Sequence, residues 1–495
     1  MTNIYSALIP SMWLERESKS LHDLFGCATL TRMLKPSSFV LALSLTVPAA
    51  SQQIDWAKIN DEAMRNYQSL VQIDSTTTEV GVAALVKKTL EAEGIAVSIV
   101  AKDPAHPNVI SRIKGNRSKK PLLIMGHSDT VKVDLSKWTF PPFSATRHDG
   151  YVYGRGTLDD KSNLFAVMMT MVLLTRTKAK LDRDVILVSE AGEEGNSALG
   201  IGYLVNEHFL EIEAEACLAE GGGVIRRGGV ARFATIQTME KRPSGAKLVA
   251  RGPSGHGSRP TRENAIAHLG QAVAKVAFWD PPMRFNDTTR TYFEKLALVS
   301  DPEEAQRFKD LFDPVKSAGA REWLAVNEPG TYSMLHTSIS PNIIQGGFQS
   351  NVAPSEATAT LDIRALPDED MPAFYELMRK VINDPQVEVM PNARSGRPAG
   401  VPIDITSETY KAIETAFQKV YGVTTLPLMG TGATDMSQLR PRGVQCYGVG
   451  AARDDEDILK GFGAHSDQER MPEDSVAKHL AFYWNAVTGI AGAKF

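Results

Sequence analysis

A histidine and an aspartate follow directly after an apolar run and could take part in a metal site. The segment Gly126-His127-Ser128-Asp129-Thr130 comes after the apolar residues 122–125. At the end of a strand, the i+2 spacing places the side chains of His127 and Asp129 on the same side of the chain. The imidazole could bind an ion while the carboxylate orients it from behind. The same pattern is also typical of ordinary polar loops, so the interpretation depends on further ligands downstream.

Three later segments also carry carboxylates at points where the chain turns. Asp159 and Asp160 precede a long apolar stretch, whereas Glu193, Glu194 and Glu220 each follow an apolar strand-like run. The aspartates could simply cap a helix, and the paired glutamates could form a solvated acidic turn. Adjacent carboxylates repel each other unless positive charge lies between them. One could then bind a metal ion while its neighbour acts as a general base.

A second histidine completes a mixed set of nitrogen and oxygen donors. His465 lies in the glycine-containing segment 461–467 near the end of the chain. Two histidines and several carboxylates, all at turns, suit borderline divalent ions such as zinc, cobalt or manganese. Together these segments predict a centre that binds two ions.

The order of these motifs resembles the M20 metallopeptidase family, which includes glutamate carboxypeptidase, aminoacylase, carboxypeptidase S and succinyl-diaminopimelate desuccinylase. The resemblance extends from about residue 54 to the end of the chain. It implies two Zn²⁺ per chain, with Co²⁺ or Mn²⁺ as substitutes. By this resemblance His127 and Glu220 hold one ion, Glu194 and His465 hold the other, and Asp159 bridges both.

The same resemblance implies catalytic roles for three residues. Glu193 would be the general base, and Asp129 would support His127 from behind. His256, in the loop 252–258, would reach the active site of a neighbouring subunit and stabilise the oxyanion. An isolated exposed histidine would not by itself predict this role.

Substrate contacts are also implied by the resemblance. They are Asn351, Arg364, Arg397, Gly430 and Thr431. An arginine suits a substrate carboxylate because its planar guanidinium can donate two parallel hydrogen bonds. The alternative for Arg364 is an ordinary surface ion pair on a strand.

Composition is consistent with an enzyme of two domains. The chain has 495 residues, of which 43% are hydrophobic, so it can form an ample core. A net charge of −4 gives no reason to expect nucleic acid or an anionic membrane as a partner. The cysteines Cys27, Cys217 and Cys446 fit neither a disulfide framework nor a cysteine-rich zinc site, and the last two are expected to be buried thiols.

Residues 1–51 have the pattern of an export signal. Arg32 and Lys35 precede the apolar run 39–47, and Ala49-Ala50-Ser51 follows it as a small-residue cleavage site. The apolar run is too short to span a bilayer, so no stable membrane span is expected once the signal is removed. Met33 stands where such a signal normally begins. We therefore expect a periplasmic or secreted protein, the alternative being that the run is a buried strand or helix.

Alternating helix and strand patterns after residue 52 predict an α/β fold with a central, mostly parallel sheet. The catalytic domain is expected to comprise residues 52–240 and 396–495. Residues 241–395 show the β-α-β-β-α-β order of a ferredoxin-like fold and are expected to form an inserted lid and dimerisation domain, so a homodimer could form through the lid. A charged, helix-rich insertion at 281–330 resembles the extra segment of the carboxypeptidase S-like branch.

The resemblance implies a zinc-dependent hydrolase that cleaves N-acyl amino acids or C-terminal peptide bonds. Two zinc ions would lower the pKa of a water molecule, and Glu193 would accept its proton. Three alternatives are a dipeptidase or aminopeptidase of the same family, a non-catalytic peptide-binding relative, and a serine amidase. The sequence contains no G-x-S-x-G motif that would support the serine amidase. A non-catalytic relative should lack a metal ligand or the general base, and none of these residues is missing here.

Overall fold

A computed structural model describes residues 54–392, 398, 400, 401 and 403–495. The proposed signal region and Arg397 lie outside the described residues. The helices are α1 (Trp56–Val71), α2 (Val80–Ala92), α3 (Lys161–Arg176), α4 (Ile201–Glu207), α5 (Phe209–Ile212), α6 (Ala265–Ala277), α7 (Asp287–Val299), α8 (Pro302–Asp310), α9 (Ser317–Asn327), α10 (Pro329–Ser333), α11 (Met371–Ile382), α12 (Glu408–Tyr421), α13 (Met436–Leu439), α14 (Asp455–Lys460) and α15 (Glu473–Ile490).

The strands form one large sheet and three smaller ones. They are β1 (Val97–Val100), β2 (Asn108–Ile113), β3 (Leu122–His127), β4 (Thr146–His148), β5 (Tyr151–Tyr153), β6 (Val185–Glu190), β7 (Ala216–Ala219), β8 (Gly223–Arg227), β9 (Val230–Glu240), β10 (Arg242–Arg251), β11 (Gly255–His256), β12 (Ser338–Gly346), β13 (Val352–Ala353), β14 (Glu356–Ala365), β15 (Val387–Pro391), β16 (Thr424–Gly430), β17 (Gln445–Gly448), β18 (Ala452–Asp454) and β19 (Arg470–Pro472).

The large sheet has the order β1-β2-β6-β3-β7-β17-β9-β8-β18, and β16 pairs with β9. Its central strands β6, β3, β7 and β17 are parallel, whereas β1 and β2 are joined to them in antiparallel fashion. Alternate side chains of β3 enter opposite cores: Leu122 and Ile124 pack in the core with α1, α3 and α15, and Leu123 and Met125 in the core with α4 and α13. The predicted α/β fold with a mostly parallel central sheet is confirmed.

Helix α3 is the central helix of the first core. Every residue from Lys161 to Leu174 is buried, and the helix packs against α1, α15 and β3. A helix that is apolar on all sides needs cover on all sides, which explains this position. The buried cysteines Cys217 and Cys446 lie in the second core, on neighbouring strands, as expected from the sequence.

The lid contains the predicted β-α-β-β-α-β order. Strands β12, β14, β10 and β15 form an antiparallel sheet in that order, and α6 and α11 share a core with it. A single residue, Lys241, separates β9 of the large sheet from β10 of the lid. Its buried ammonium donates to the carbonyl of Ser333 and the hydroxyl of Ser338, each at 2.8 Å.

Helices α7 to α10 occupy the helix-rich insertion and pack on the large sheet. Tyr292 and Phe293 of α7 share a core with Phe233 of β9 and with Leu426 and Met429 of β16. The side chains of the insertion therefore cover one end of the catalytic sheet. Among the residues described, no helix is both long enough and apolar enough to cross a bilayer.

Candidate metal and active site

Three neighbouring parallel strands bring the predicted ligands to one edge of the sheet. Strand β3 ends at His127, β7 is followed by Glu220, and β6 leads into the turn that carries Glu193 and Glu194. Because β6, β3 and β7 lie side by side and run parallel, their carboxyl ends meet. In the short sheet β19-β5-β4, strand β5, which precedes Asp159 in sequence, pairs with β19, which follows His465.

Asp159 lies between the two histidines. Its Oδ1 is 2.9 Å from Nε2 of His127, and its Oδ2 is 3.0 Å from Nε2 of His465. The peptide bond between Asp159 and Asp160 is cis. One carboxylate thus presents an oxygen to each imidazole, which is the arrangement expected of a residue that bridges two ions.

The remaining predicted ligands lie beside these three. Oε1 of Glu194 is 2.7 Å from Nε2 of His465, and Oε2 of Glu220 is 3.7 Å from Nε2 of His127. The donor atoms of His127, Glu193 and Glu220 lie within 4.8 Å of one another, as do those of His127, Asp159 and Glu194. Mixed carboxylate and imidazole donors at this spacing fit divalent ions such as zinc.

The close approach of carboxylates and imidazoles controls the charge of the site. Hydrogen bonds with Asp159 and Glu194 raise the pKa of His465 to about 10. Burial opposes ionisation of Asp159, but hydrogen bonds with His127 and His465 outweigh it and lower the pKa of this carboxyl. Burial raises the pKa of Glu220 to about 8. The clustered carboxylates therefore stabilise positive charge within the site.

Asp129 connects His127 to the turn that carries the glutamates. Its carboxylate accepts hydrogen bonds from the backbone N–H groups of Glu193 and Glu194, both at 3.0 Å. Its Oδ1 is also 3.5 Å from Nδ1 of His127. Asp129 therefore fixes the backbone of two site residues as well as contacting the imidazole. The sequence had predicted only its contact with His127.

Two positioning residues were missed by the sequence analysis. The buried carboxylate of Glu469 accepts hydrogen bonds from the backbone N–H groups of Leu158 at 2.8 Å and Asp159 at 3.3 Å. It is also paired with Arg155, whose Nη2 donates to the carbonyl of Ser466 at 3.0 Å. The spacing Gly-Arg-Gly before Asp159 was visible in the sequence, but nothing local indicated a partner far along the chain.

The sequence allowed Asp160 to cap a helix through its side chain, but the side chain has another role. It stands at the N-cap of α3 without a capping hydrogen bond from its side chain. Its Oδ1 instead accepts from Nδ2 of Asn163 at 2.7 Å. Oδ1 of Asn163 in turn lies 2.8 Å from Nε2 of His479 and 3.2 Å from the hydroxyl of Tyr483. This buried polar network joins α3 to α15 behind the metal site.

The predicted lid residues are not part of the ligand cluster. Strand β11, which contains His256, pairs with β13, and Nδ1 of His256 is 2.7 Å from the hydroxyl of Ser258. The carbonyl of Asn351 accepts from the N–H of Gly257 at 2.7 Å, so Asn351 lies beside this loop. Arg364 forms an ion pair with Asp362, with Nε 2.9 Å from Oδ1.

The predicted substrate contacts Gly430 and Thr431 lie at the end of β16, of which Gly430 is the last residue. The carbonyl of Gly430 accepts a hydrogen bond from the N–H of Lys241 at 2.9 Å, so the loop with Gly430 and Thr431 lies at the junction between the large sheet and the lid. A Cβ at residue 430 would come within 2.4 Å of Oε1 of Gln237, so a larger residue there would displace the end of the Gln237 side chain. Nearby, Thr434 donates to the buried carboxylate of Glu240 at 2.7 Å.

A cavity of about 370 Å³ lies against Asp159 and Glu220. Gly222 forms part of its wall, and a Cβ there would lie 2.3 Å from the carbonyl oxygen of Thr235. The ligand cluster is therefore open to a small molecule on this side, and the close-packed glycine backbone shapes the opening.

Comparisons with known proteins relate this geometry to one family. The sequence model of the family described as peptidase family M20/M25/M40 matches residues 123–488 of this chain. A probable carboxypeptidase S-like 2 of Dictyostelium discoideum is 29% identical over 345 residues, which cover 67% of this chain and 64% of that protein. The N-fatty-acyl-amino acid synthase/hydrolase PM20D1 of Homo sapiens is 28% identical over 338 residues, 64% of each chain. This chain thus spans slightly less than two thirds of the length of either relative.

Solved structures share the fold at lower identity. The M20 family metallo-carboxypeptidase Sso-CP2 from Sulfolobus solfataricus matches with a TM-score of 0.66 at 21% identity, over 86% of this chain and 98% of that one. The YXEP protein of Bacillus subtilis, described as a dinuclear metal binding peptidase, matches with a TM-score of 0.56 at 15% identity, over 88% and 98% of the two chains. At these identities the likeness establishes a common fold.

Proposed function

Because this chain belongs to peptidase family M20/M25/M40, we propose that it is a zinc-dependent hydrolase of amide bonds in N-acyl amino acids or at the C-terminus of peptides. The observation that carries the proposal is the position of Asp159, with one carboxylate oxygen 2.9 Å from His127 and the other 3.0 Å from His465. Two ions would be held by His127 with Glu220 and by His465 with Glu194, with Asp159 shared. Cobalt or manganese could occupy the same donors.

Bound divalent ions supply two kinds of chemistry, since they lower the pKa of water and polarise a carbonyl group. Glu193 accepts the proton of the attacking water and later delivers it to the leaving amine. Asp129 keeps the backbone of Glu193 in place by accepting its N–H at 3.0 Å. Fixed positioning of this kind favours proton transfer because less conformational freedom has to be lost before the carboxylate can react.

Residues of the lid would bind the substrate and complete the site. Arg364 would hold the carboxylate of the substrate, with Asn351, Arg397, Gly430 and Thr431 as further contacts. His256 would stabilise the oxyanion in the active site of a second subunit. Its exposed position in the lid supports this role, and a homodimer through the lid would supply the second subunit. The domain division at residues 52–240, 241–395 and 396–495 belongs to the same proposal.

The names of the relatives support an acylase or carboxypeptidase rather than a dipeptidase. One is named a carboxypeptidase S-like protein and another an N-fatty-acyl-amino acid synthase/hydrolase. The test is a panel of N-acyl amino acids and free-amine dipeptides, assayed with zinc. We expect hydrolysis of the N-acyl compounds, loss of activity with a chelator, and loss of both metal and activity in Asp159→Ala. Preference for dipeptides with a free amine would favour the dipeptidase, and full activity without metal would overturn the metal mechanism.

We also propose that the protein is exported after cleavage near Gln52. The support is the sequence pattern of residues 33–51, in which positive residues precede an apolar run and a small-residue cleavage site. N-terminal sequencing of the active protein recovered outside the cytoplasm tests this. Active enzyme that retains residues 1–50 would contradict it.

A further inference from the structure

The helix-rich insertion and the catalytic sheet enclose a second cavity of about 460 Å³. Its wall includes Tyr292 and Leu296 of α7, Phe308 of α8, Phe233 of β9 and Leu428 of β16. Tyr292, Leu296, Phe308 and Phe233 are buried, and Leu428 is half-buried. The volume lies within the range of about 300–1,000 Å³ that is common for small-molecule sites.

This apolar cavity adjoins the cavity at the metal site. Arg453 of β18 and Ile458 of α14 line both of them. The cavity at the metal site also contains Asp159 and Glu220 in its wall. The two cavities therefore meet at Arg453 and Ile458, and a molecule with a carbonyl group beside these carboxylates would pass these two side chains to reach the apolar cavity.

Several charged groups on the apolar cavity's wall have partners of their own. Arg227 lies 3.3 Å from Glu304 and 3.1 Å from Asp455. Nη1 of Arg453 donates to the carbonyl of Gly222 at 3.2 Å. Apolar atoms account for most of the exposed surface of the cavity wall, although polar side chains contribute to it as well. A peptide chain there would bury amide groups at considerable cost, whereas a methylene chain has none to satisfy.

We propose that this cavity holds the long, unbranched apolar acyl chain of an N-acyl amino acid, with the scissile carbonyl at the metal site. This inference rests on the proposed function and specifies its substrate class. Each methylene transferred from water to an apolar site contributes about 0.8 kcal/mol, which corresponds to about a fourfold gain in affinity. The acyl chain would thus supply much of the binding energy.

The test measures kcat/KM of the zinc-loaded protein for one amino acid carrying straight acyl chains of increasing length, from acetyl upward. For the native protein we expect kcat/KM to rise about fourfold per methylene until the cavity is filled. Hydrolysis of all chain lengths with equal kcat/KM would overturn the acyl site but leave the proposed function standing. Failure to hydrolyse any N-acyl amino acid would overturn the proposed function itself.

Two variants and a control locate the effect. Leu296→Trp fills the cavity and should lower the ratio of long-chain to acetyl kcat/KM by roughly 10- to 200-fold, because the indole takes the place of about two to four methylenes, each worth about fourfold in affinity. Ile458 lies at the junction of the two cavities, and its side chain is 60% exposed and so tolerant of substitution. Ile458→Trp should therefore lower the same ratio. Leu298→Trp, on the same helix but 79% exposed and outside the cavity, should leave the ratio unchanged. An unchanged ratio in the first two variants would overturn the proposal.

Discussion

The carboxylate of Glu469 lies 2.6 Å from the guanidinium of Arg155, and their side chains are only 0% and 2% exposed. The pair joins two loops of the metal site. Glu469 accepts the backbone N–H of Asp159, while Arg155 donates to the carbonyl of Ser466, next to His465. Because Asp159 and His465 come from these two loops, the ion pair holds together two proposed metal ligands that are distant in sequence.

We expect Glu469→Gln to weaken both folding and metal binding. Removing the charge leaves Arg155 buried without its partner, a change that costs about 3–5 kcal/mol. Loss of an interaction behind the ligands lowers metal affinity by about 10- to 100-fold. Thermal unfolding and competition with a chromophoric zinc chelator measure the two effects.

The matched control for this change is Asp184→Asn. Asp184 is 3% exposed, lies 3.1 Å from Arg112, and precedes β6 at the end away from the metal site. It should lower stability without changing zinc affinity. If both variants bind zinc equally well at temperatures where they are folded, the pair formed by Arg155 and Glu469 has a purely structural part.

Glu193→Gln should separate catalysis from metal binding. The substitution keeps the shape of the side chain but removes the proton acceptor, so kcat should fall by at least ~100-fold. Elemental analysis should still find the native amount of metal. Glu194→Gln is the comparison, since the Glu194 side chain lies 2.7 Å from His465 and its loss should reduce bound metal. Near-native turnover in Glu193→Gln would assign the base to another residue.

Arg364→Ala should lower kcat/KM for N-acyl amino acids by roughly 10- to 200-fold, since a hydrogen bond to a charged group is worth about 1.5–3 kcal/mol. Substrates whose carboxylate is amidated should be poor for the native protein and hardly worse for the variant. Arg364 is paired with Asp362 at 2.9 Å. An equal loss for acid and amide would mean that this ion pair is its whole role.

The control is Arg379→Ala, which removes another arginine of the lid. Arg379 is paired with Glu376 on α11, and its side chain is 39% exposed. A surface pair contributes about 0–1 kcal/mol, so this variant should retain the kinetics of the native protein on both substrates.

Protonation of His479 should destabilise the protein in acid. Burial lowers the pKa of His479 to about 3, whereas an unfolded histidine has a pKa near 6.5. The unfolded chain therefore binds the proton more readily, and stability is lost as pH falls from about 6.5 towards 3. The loss approaches ~2 kcal/mol at pH 5.

His479→Gln removes this titration and keeps a donor for Asn163, which lies 2.8 Å from Nε2 of the histidine. Urea unfolding at pH 7.5 and pH 5 should show a smaller loss of stability in this variant than in the native protein, by about 2 kcal/mol. His148→Gln replaces an exposed histidine and should behave like the native protein. An identical pH dependence in all three would contradict the assignment to His479.

Local patterns were enough to predict much of the fold. Helix α11 (Met371–Ile382) is the second helix of the predicted β-α-β-β-α-β order, and its apolar stripe and the preceding Asp370 cap are both local signals. The proximity of the predicted ligands could be anticipated for the same reason. His127, Glu194 and Glu220 each follow an apolar strand, and the geometry of parallel strands brings their ends together.

Interactions between distant segments could not be predicted. Arg155 and Glu469 are 314 residues apart, and nothing near Glu469 indicates that it is buried. The ion pair between Arg364 and Asp362 was anticipated only as an alternative to substrate binding. Similarly, the charge of the insertion did not reveal that its apolar side chains cover the catalytic sheet, since this depends on the tertiary positions of β9 and β16.

The packing of the insertion separates the proposed acyl site from the proposed carboxylate contact at Arg364. Helix α7 is anchored on β16 and β9, whereas Arg364 belongs to the sheet of the lid, which Lys241 joins to β9. A rotation of the lid sheet about Lys241 would move the arginine relative to the metal ligands but would leave the walls of the apolar cavity on the catalytic sheet. Under the proposed function, preference for the acyl group and preference for the amino acid could therefore evolve, or be engineered, independently of each other.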